Sequence, residues 1–88
     1  MIHSTQLLAL ATTLTTIGVD VGDRHSFFCI LDAAGEVIGR GRVRTTPGQI
    51  RELFASLERG RVAIEACTHS AWMCELLEEL GFEVIVAN

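Results

Sequence analysis

Apolar and polar residues alternate in short blocks, and this pattern predicts strands first and helices later. Thr16–Asp20 alternates β-branched residues with glycine and aspartate, which predicts a first strand with a polar end. His25–Leu31 is apolar on both faces, which is typical of an interior strand. Residues 32–36 form a hairpin loop with a glycine suited to a positive φ angle, so a third strand over residues 37–45 should run antiparallel to the second.

Two amphipathic segments follow, and each carries signals for a helix start and a helix stop. Thr46 precedes a proline and lies three residues before a glutamine, which is typical of an N-cap, and the apolar stripe that follows should end at Gly60. Ser70 is predicted to cap a second helix, which Gly81 should terminate.

Residues 61–65 and 82–87 are short runs that predict a fourth and a fifth strand. The order β-β-β-α-β-α-β indicates an α/β fold with a five-stranded mixed sheet in the order 3-2-1-4-5 and two helices. Right-handed crossovers place both helices on one face. The other face and the edge of the fifth strand would then expose apolar side chains, so we expect a homodimer or higher oligomer in which an apolar N-terminal arm, residues 1–15, takes part.

Composition limits the size and the partners of the protein. A chain of 88 residues forms at most one compact domain. Its 49% apolar residues indicate an interior too large for so short a chain, so we expect it to be part of a larger protein. The net charge of −4 excludes a bulk cationic surface for nucleic acid, so any phosphate contact must be local. The first fifteen residues are too weakly apolar for a signal peptide or a membrane span, and no membrane partner is expected.

Three cysteines, an odd number, lie within apolar runs, which favours reduced thiols and a cytoplasmic location. Cys67, His69 and Cys74 could serve as zinc ligands, but they lack a tight CxxC pair and a fourth partner, so packing roles are the better interpretation. Trp72, near the start of the second helix, fits a packing anchor better than a base-stacking platform.

Two carboxylates end predicted strands. The strands that end at Asp20 and Glu65 should be parallel, because the helix after the third strand returns the chain in the same sense. If the strands are neighbours, the two carboxyl carbons should lie within about 8 Å of each other, close enough to share Mg²⁺. From spacing alone, the alternative is a pair of solvated strand-end residues.

Arginines mark a second candidate site. Arg40, Arg42 and Arg44 share one face of the third strand, where they could hold phosphates or protect an edge strand from aggregation. Arg24, in the turn after the first strand, could contact a substrate phosphate or could be solvated.

The run "IGVDVGDRHSFFCILDAAGEVIGRGRVRTT", followed by "VAIEACTHSAWMCELLEELGFEVIVAN", resembles the beginning of the DEDD insertion-sequence transposases. The similarity covers residues 16–88 and implies the N-terminal part of a ribonuclease-H-like (RuvC-like) domain. In that family the first Asp of an acidic tetrad ends strand one, and the Glu ends strand four in a "(V/M)xEA(T/C)" context. Asp20 and Glu65 match these two positions.

The residues after the glutamate extend the match. Ala66, Thr68 and Trp72 fit the "EATGxxxW"-like run of the family, whereas Cys67 and His69 depart from its commonest form. The departures leave the start of the second helix intact, and the family's local contacts at these two positions do not carry over to this chain.

The resemblance implies a function. The other two aspartates of the family, and the serine that its recombinases use as a nucleophile, lie beyond Asn88. A complete member of the family, which includes the bridge-RNA-guided recombinases, would cut and rejoin DNA with Mg²⁺ and a structured guide RNA. The present chain would carry half of the metal site and should be inactive alone.

Two other functions fit part of the sequence. Sugar kinases, actin and chaperone ATPases also begin with an "xGxDxGxxxxxxxxxD" pattern, in which the turn after the Asp holds ATP phosphates. They usually have a Gly-rich segment after strand four, whereas this chain has Glu65 and a helix start, which favours the transposase interpretation. A non-catalytic interaction module would instead predict no metal affinity.

Overall fold

A computed structural model describes residues 15–88, and its elements follow the predicted order. The strands are β1 (Thr16–Asp20), β2 (His25–Leu31), β3 (Val37–Arg44), β4 (Arg61–Glu65) and β5 (Glu83–Ala87), and the helices are α1 (Pro47–Ala55) and α2 (Ser70–Glu79). The predicted arm, residues 1–15, lies outside the described residues except for Thr15. Within the described part of the chain, no helix has the length and apolar character needed to cross a membrane.

The five strands form one mixed sheet in the order β3-β2-β1-β4-β5, as predicted. The first three strands pair antiparallel, whereas β1–β4 and β4–β5 pair parallel because each helix returns the chain to the same end of the sheet. This α/β arrangement, with two helices, is the expected start of a ribonuclease-H-like (RuvC-like) fold.

The core lies between the sheet and the two helices. Ile17 and Val19 of β1 are buried, whereas Gly18 between them belongs to the opposite face, as the period of two requires. The other buried apolar residues come from both helices, from β4 and from the residue before β5: Ile50, Phe54, Val62, Ile64, Met73, Leu76, Leu77 and Phe82. Both helices therefore contribute to one core, as the right-handed crossovers predict.

The opposite face of the sheet exposes large apolar side chains. Phe27 on β2 is 55% exposed and Ile85 on β5 is 43% exposed. Phe28, which follows Phe27 and points to the other face, packs against the core. The expectation that one face would remain open is therefore confirmed for residues 15–88, which include no helix on that side.

Glycines on β3 make room for this packing. A Cβ atom built on Gly41 would lie 2.7 Å from Cζ of Phe28, and one on Gly39 would lie 3.4 Å from Cδ1 of Ile30. Because residues alternate between faces, the arginines of the "GRGRVR" run lie on the helix-free face. The absence of side chains at the two glycines allows Phe28 and Ile30 to lie close to β3.

Two glycines provide the tight turns predicted for them. Gly35, in the hairpin between β2 and β3, has φ of 84°, and Gly81, after α2, has φ of 97°. The carboxylate of Asp32 completes the hairpin by accepting hydrogen bonds from the backbone N–H groups of Ala34 and Glu36, both at 2.9 Å.

The first helix ends earlier than the sequence predicted. Its last helical residue is Ala55 rather than one next to Gly60. The Ser56 hydroxyl donates to the Leu53 carbonyl at 2.6 Å, and the Arg59 guanidinium donates to the carbonyls of Phe54, in the last turn, and of Leu57, just beyond the helix. In a longer helix, the carbonyls of the last turn would accept hydrogen bonds from backbone N–H groups of the next turn. Here side chains supply hydrogen bonds instead, so the helix ends before the glycine.

The N-terminal caps of the two helices differ. Thr46 accepts a hydrogen bond from the Gln49 N–H at 3.3 Å, as predicted for α1. The prediction that Ser70 caps α2 is wrong: Ser70 is the first helical residue, and His69 occupies the cap position without a side-chain bond to the backbone of the helix. The Ser70 hydroxyl instead donates to the Cys67 carbonyl and closes the loop after β4.

Candidate metal centre and adjoining surface

The two predicted metal ligands lie at the same end of the sheet. Parallel pairing places Val19 of β1 opposite Ile64 of β4, so Asp20 and Glu65 are the next residues along two adjacent strands. Neighbouring strands are about 4.8 Å apart. Both acidic side chains are exposed, and both line one open depression at the carboxyl ends of the strands. The predicted adjacency of the two strand ends is therefore present, and the separation of about 8 Å between the carboxyl carbons stays a prediction.

The donor atoms of this pair suit a hard cation. Carboxylate oxygens are the ligands that Mg²⁺ and Mn²⁺ prefer, and a cation between two adjacent carboxylates relieves their repulsion. Within residues 15–88 no cluster of three or more His, Cys, Asp or Glu side chains is arranged to hold a metal ion. Asp20 and Glu65 thus fit part of a divalent-metal site and do not complete one.

The turn after β1 is held tightly. A side chain on Gly22 would collide with the carbonyl oxygen of His25, so this position requires glycine. The far end of the turn is fixed to β3, since the Arg24 carbonyl accepts a bond from the Thr45 N–H at 2.8 Å. Ser26 and Thr45 share a buried hydroxyl hydrogen bond of 2.7 Å beside it. These contacts keep the segment after Asp20 in a defined position.

A hydrogen-bonded chain of side chains links that turn to α2. The Trp72 indole N–H donates to Nδ1 of His69 at 3.1 Å, and Nε2 of His69 lies 3.2 Å from the Asp23 carboxylate. An indole nitrogen only donates, so Nδ1 must be the acceptor and the ring proton of the neutral imidazole is on Nε2, which donates to Asp23. The network joins two loops next to the carboxylate pair.

Sequence reasoning missed this network. The only local signal is the His-x-x-Trp spacing, which places two rings one helical turn apart, and these rings pack edge to face with centroids 5.9 Å apart. Both ring nitrogens of His69 are engaged, which argues against the zinc grouping with Cys67 and Cys74. Trp72 is half-buried against the core, in agreement with its predicted packing role.

The arginines of β3 lie beside the acidic site on the helix-free face. Asp20 is paired with Phe27 of β2, and Phe27 is paired with Arg42 of β3. Arg40 and Arg42 line a second open depression, to which Asp20 and Phe27 also contribute. The other two predicted phosphate ligands, Arg24 and Arg44, are exposed and line neither depression.

All three cysteines are free thiols. Burial raises the pKa of the Cys74 thiol, and the nearby Glu78 carboxylate and Cys67 raise it further. Cys67 is exposed, in the loop that follows Glu65. The expectation of unpaired thiols is met by the structure.

Comparison with known proteins identifies a relationship that covers most of the chain. A model of the DEDD family of IS110 type, described as transposase, matches residues 17–88. The matched range includes Asp20, Glu65 and every strand and helix described above, apart from Thr16 at the start of β1. The search of curated proteins gave no match.

Proposed function

Because the chain belongs to the DEDD transposases of the IS110 type, we propose that it supplies Asp20 and Glu65 to the metal site of a DNA transposase that cleaves and rejoins DNA. The observation that supports this most strongly is that both acids end adjacent parallel strands and line one depression. The kinase-like alternative has no comparable support, since the family match lies with the transposases.

Each part of the proposed site has a physical role. When bound, Mg²⁺ supplies electrostatic stabilisation of the charge that develops on a phosphodiester group. Asp20 and Glu65 would hold the ion from strand ends whose positions are determined by backbone pairing, so little ordering is needed on binding. Two carboxylates are an incomplete oxygen cage, and we expect an affinity on the order of millimolar and no DNA cleavage by this chain alone.

The remaining assignments follow from the family resemblance. We propose DNA as the substrate, a structured guide RNA as a partner, and a cytoplasmic location, which the three free thiols support. We also propose that the chain forms a homodimer or higher oligomer, because β5 is an edge strand with Ile85 and Val86 both exposed.

Paramagnetic NMR tests the metal site directly. Titration of the ¹⁵N-labelled chain with Mn²⁺ should broaden the amide signals around Asp20 and Glu65 first, because these residues carry the proposed ligands. Asp20→Asn and Glu65→Gln should each weaken this broadening, since each removes a negatively charged ligand. Glu75→Gln is the matched control, because Glu75 is an exposed carboxylate on α2 away from the depression.

One result would contradict the metal site, and another would contradict the expected inactivity of the chain. Broadening that is equal around Glu75, or that survives both substitutions, would mean that the pair does not hold the ion, as expected for a non-catalytic interaction module. Metal-dependent DNA cleavage by the chain that disappears in Asp20→Ala would show that the site is complete, contrary to the expected inactivity.

A further inference from the structure

The helix-free face carries positive charge and an exposed aromatic ring in one row. We name as the Phe–Arg surface the part of this face formed by Phe27, Arg40 and Arg42, with Gly18 and Cys29 beneath it. Strand pairing fixes the row, since Phe27 lies between Asp20 of β1 and Arg42 of β3. Arg40 is two residues along the same strand from Arg42, on the same face.

The arginines of this surface have no acidic partner among residues 15–88. The ion pairs of the described chain use other cations, namely Arg51 with Glu79, Arg61 with Glu83, and the His69 contact with Asp23. Residues 1–14 contain no Asp or Glu that could neutralise them. In a chain with a net charge of −4, the Phe–Arg surface is therefore a local concentration of arginines without ion-pair contacts, with Asp20 at its edge, and it suits a polyanion.

Phe27 adds a second recognition element. Its side chain is 55% exposed although the neighbouring Phe28 is packed into the core. Nothing lies within 4 Å of the point where a Cβ atom on Gly18 would stand, so the face beside the ring is open on the β1 side. An exposed ring flanked by guanidinium groups can stack on a nucleobase while the arginines contact the adjoining phosphates.

These observations favour a single strand over a duplex. The bases of a duplex are stacked inside the helix, whereas those of a single strand can turn onto an aromatic ring. Asp20 contributes to the depression under Phe27 and also to the one shared with Glu65, so the two depressions adjoin at this residue. We propose that the Phe–Arg surface binds single-stranded nucleic acid, with a base on Phe27 and phosphates on Arg40 and Arg42, and leads the strand to the carboxylate pair.

The proposal that the bound nucleic acid leads to the carboxylate pair rests on the proposed function, whereas the proposal that nucleic acid binds to the Phe–Arg surface does not. The test is therefore made without metal. Fluorescence anisotropy would measure binding of the whole chain, in EDTA, to a labelled mixed-sequence DNA strand of about 12 nucleotides and to the corresponding duplex. A failure to bind nucleic acid in this assay would leave the Mn²⁺ titration unaffected, and a failure of the Mn²⁺ titration would leave this assay unaffected.

The variants separate stacking from charge. Phe27→Leu keeps an apolar side chain and removes the ring, so single-strand affinity should fall by roughly 5- to 100-fold, whereas Phe27→Trp should retain it. Arg40→Gln and Arg42→Gln should each reduce the slope of log affinity against log salt concentration by about 0.7. Arg51→Gln is the matched control, since Arg51 is an exposed arginine on α1, and it should leave binding unchanged.

The proposal fails if the duplex binds as tightly as the single strand, if Phe27→Leu binds like the wild type, or if Arg51→Gln is as harmful as Arg42→Gln. It also fails if Phe27→Leu lowers the mass measured by light scattering, because the surface would then be a contact between copies of the chain. Circular dichroism of each variant confirms folding, which is expected because all the substituted side chains are exposed.

Discussion

Gly41 provides a sharp test of how β3 is built, because it faces a ring on the neighbouring strand. Gly41→Ala would place a Cβ atom 2.7 Å from Cζ and 3.0 Å from Cε1 of Phe28. Non-bonded carbon atoms prefer about 3.5–4.0 Å, so the ring must move by about 1 Å or β3 must shift away from β2. Phe28 packs against the core, which limits how far its ring can move.

The size of the effect follows from two opposing terms. Overpacking of this kind costs about 1–3 kcal/mol. Replacement of glycine by alanine also restricts the unfolded chain, which stabilises the protein by about 0.4–1 kcal/mol. We therefore expect Gly41→Ala to lower the free energy of unfolding by about 1–2 kcal/mol, and to lower the melting temperature by about 4–8 °C for each kcal/mol.

Gly18 offers a matched control within the same sheet. It also lies in a strand without a positive φ angle, but nothing stands within 4 Å of its added Cβ atom. Gly18→Ala should therefore be neutral or stabilising by up to about 1 kcal/mol. Urea unfolding followed by circular dichroism measures both variants, and Phe28→Leu combined with Gly41→Ala should restore part of the loss. Equal effects at the two glycines would refute the packing argument.

Two further expectations concern association and thiol reactivity. Light scattering at micromolar concentration should give at least twice the 9.6 kDa chain mass. Ile85→Lys should return a monomer, because a charge on the β5 edge disfavours pairing with another copy. A soluble wild-type monomer would contradict this expectation. Iodoacetamide at mildly alkaline pH should modify the exposed Cys67 before Cys74, because burial hinders access to Cys74 and raises its pKa. Peptide mass spectrometry measures the two rates, and equal rates would show that Cys74 is not protected.

Local patterns in the sequence were sufficient for the elements and their order. The bounds of β1, β2 and β4 agree with those predicted, because alternating apolar residues and turn glycines act within a few positions along the chain. Topology rules then gave the sheet order, since short right-handed crossovers leave few alternatives. The resemblance of the residues around Asp20 and Glu65 indicated the family that the match over residues 17–88 establishes.

Some local details were wrong for a physical reason that the sequence pattern does not contain. The end of α1 depends on which groups satisfy its last carbonyls, and Arg59 performs this from beyond the helix. Ser70 has a side chain suited to a cap, but its hydroxyl bonds to Cys67 in the preceding loop. When a polar side chain has several available hydrogen-bond partners, the one it takes is known only when the geometry of all of them is known.

The tertiary structure alone decided which side chains meet. Asp23 and His69 are 46 positions apart, and their contact exists because parallel pairing of β1 and β4 brings the two following loops together. The sequence left open which of two adjacent phenylalanines would be exposed, and the side of the sheet covered by the helices determined that it is Phe27. Its place between Asp20 and Arg42 depends on the register of three strands, which is set by hydrogen bonds between distant segments and not by any local pattern.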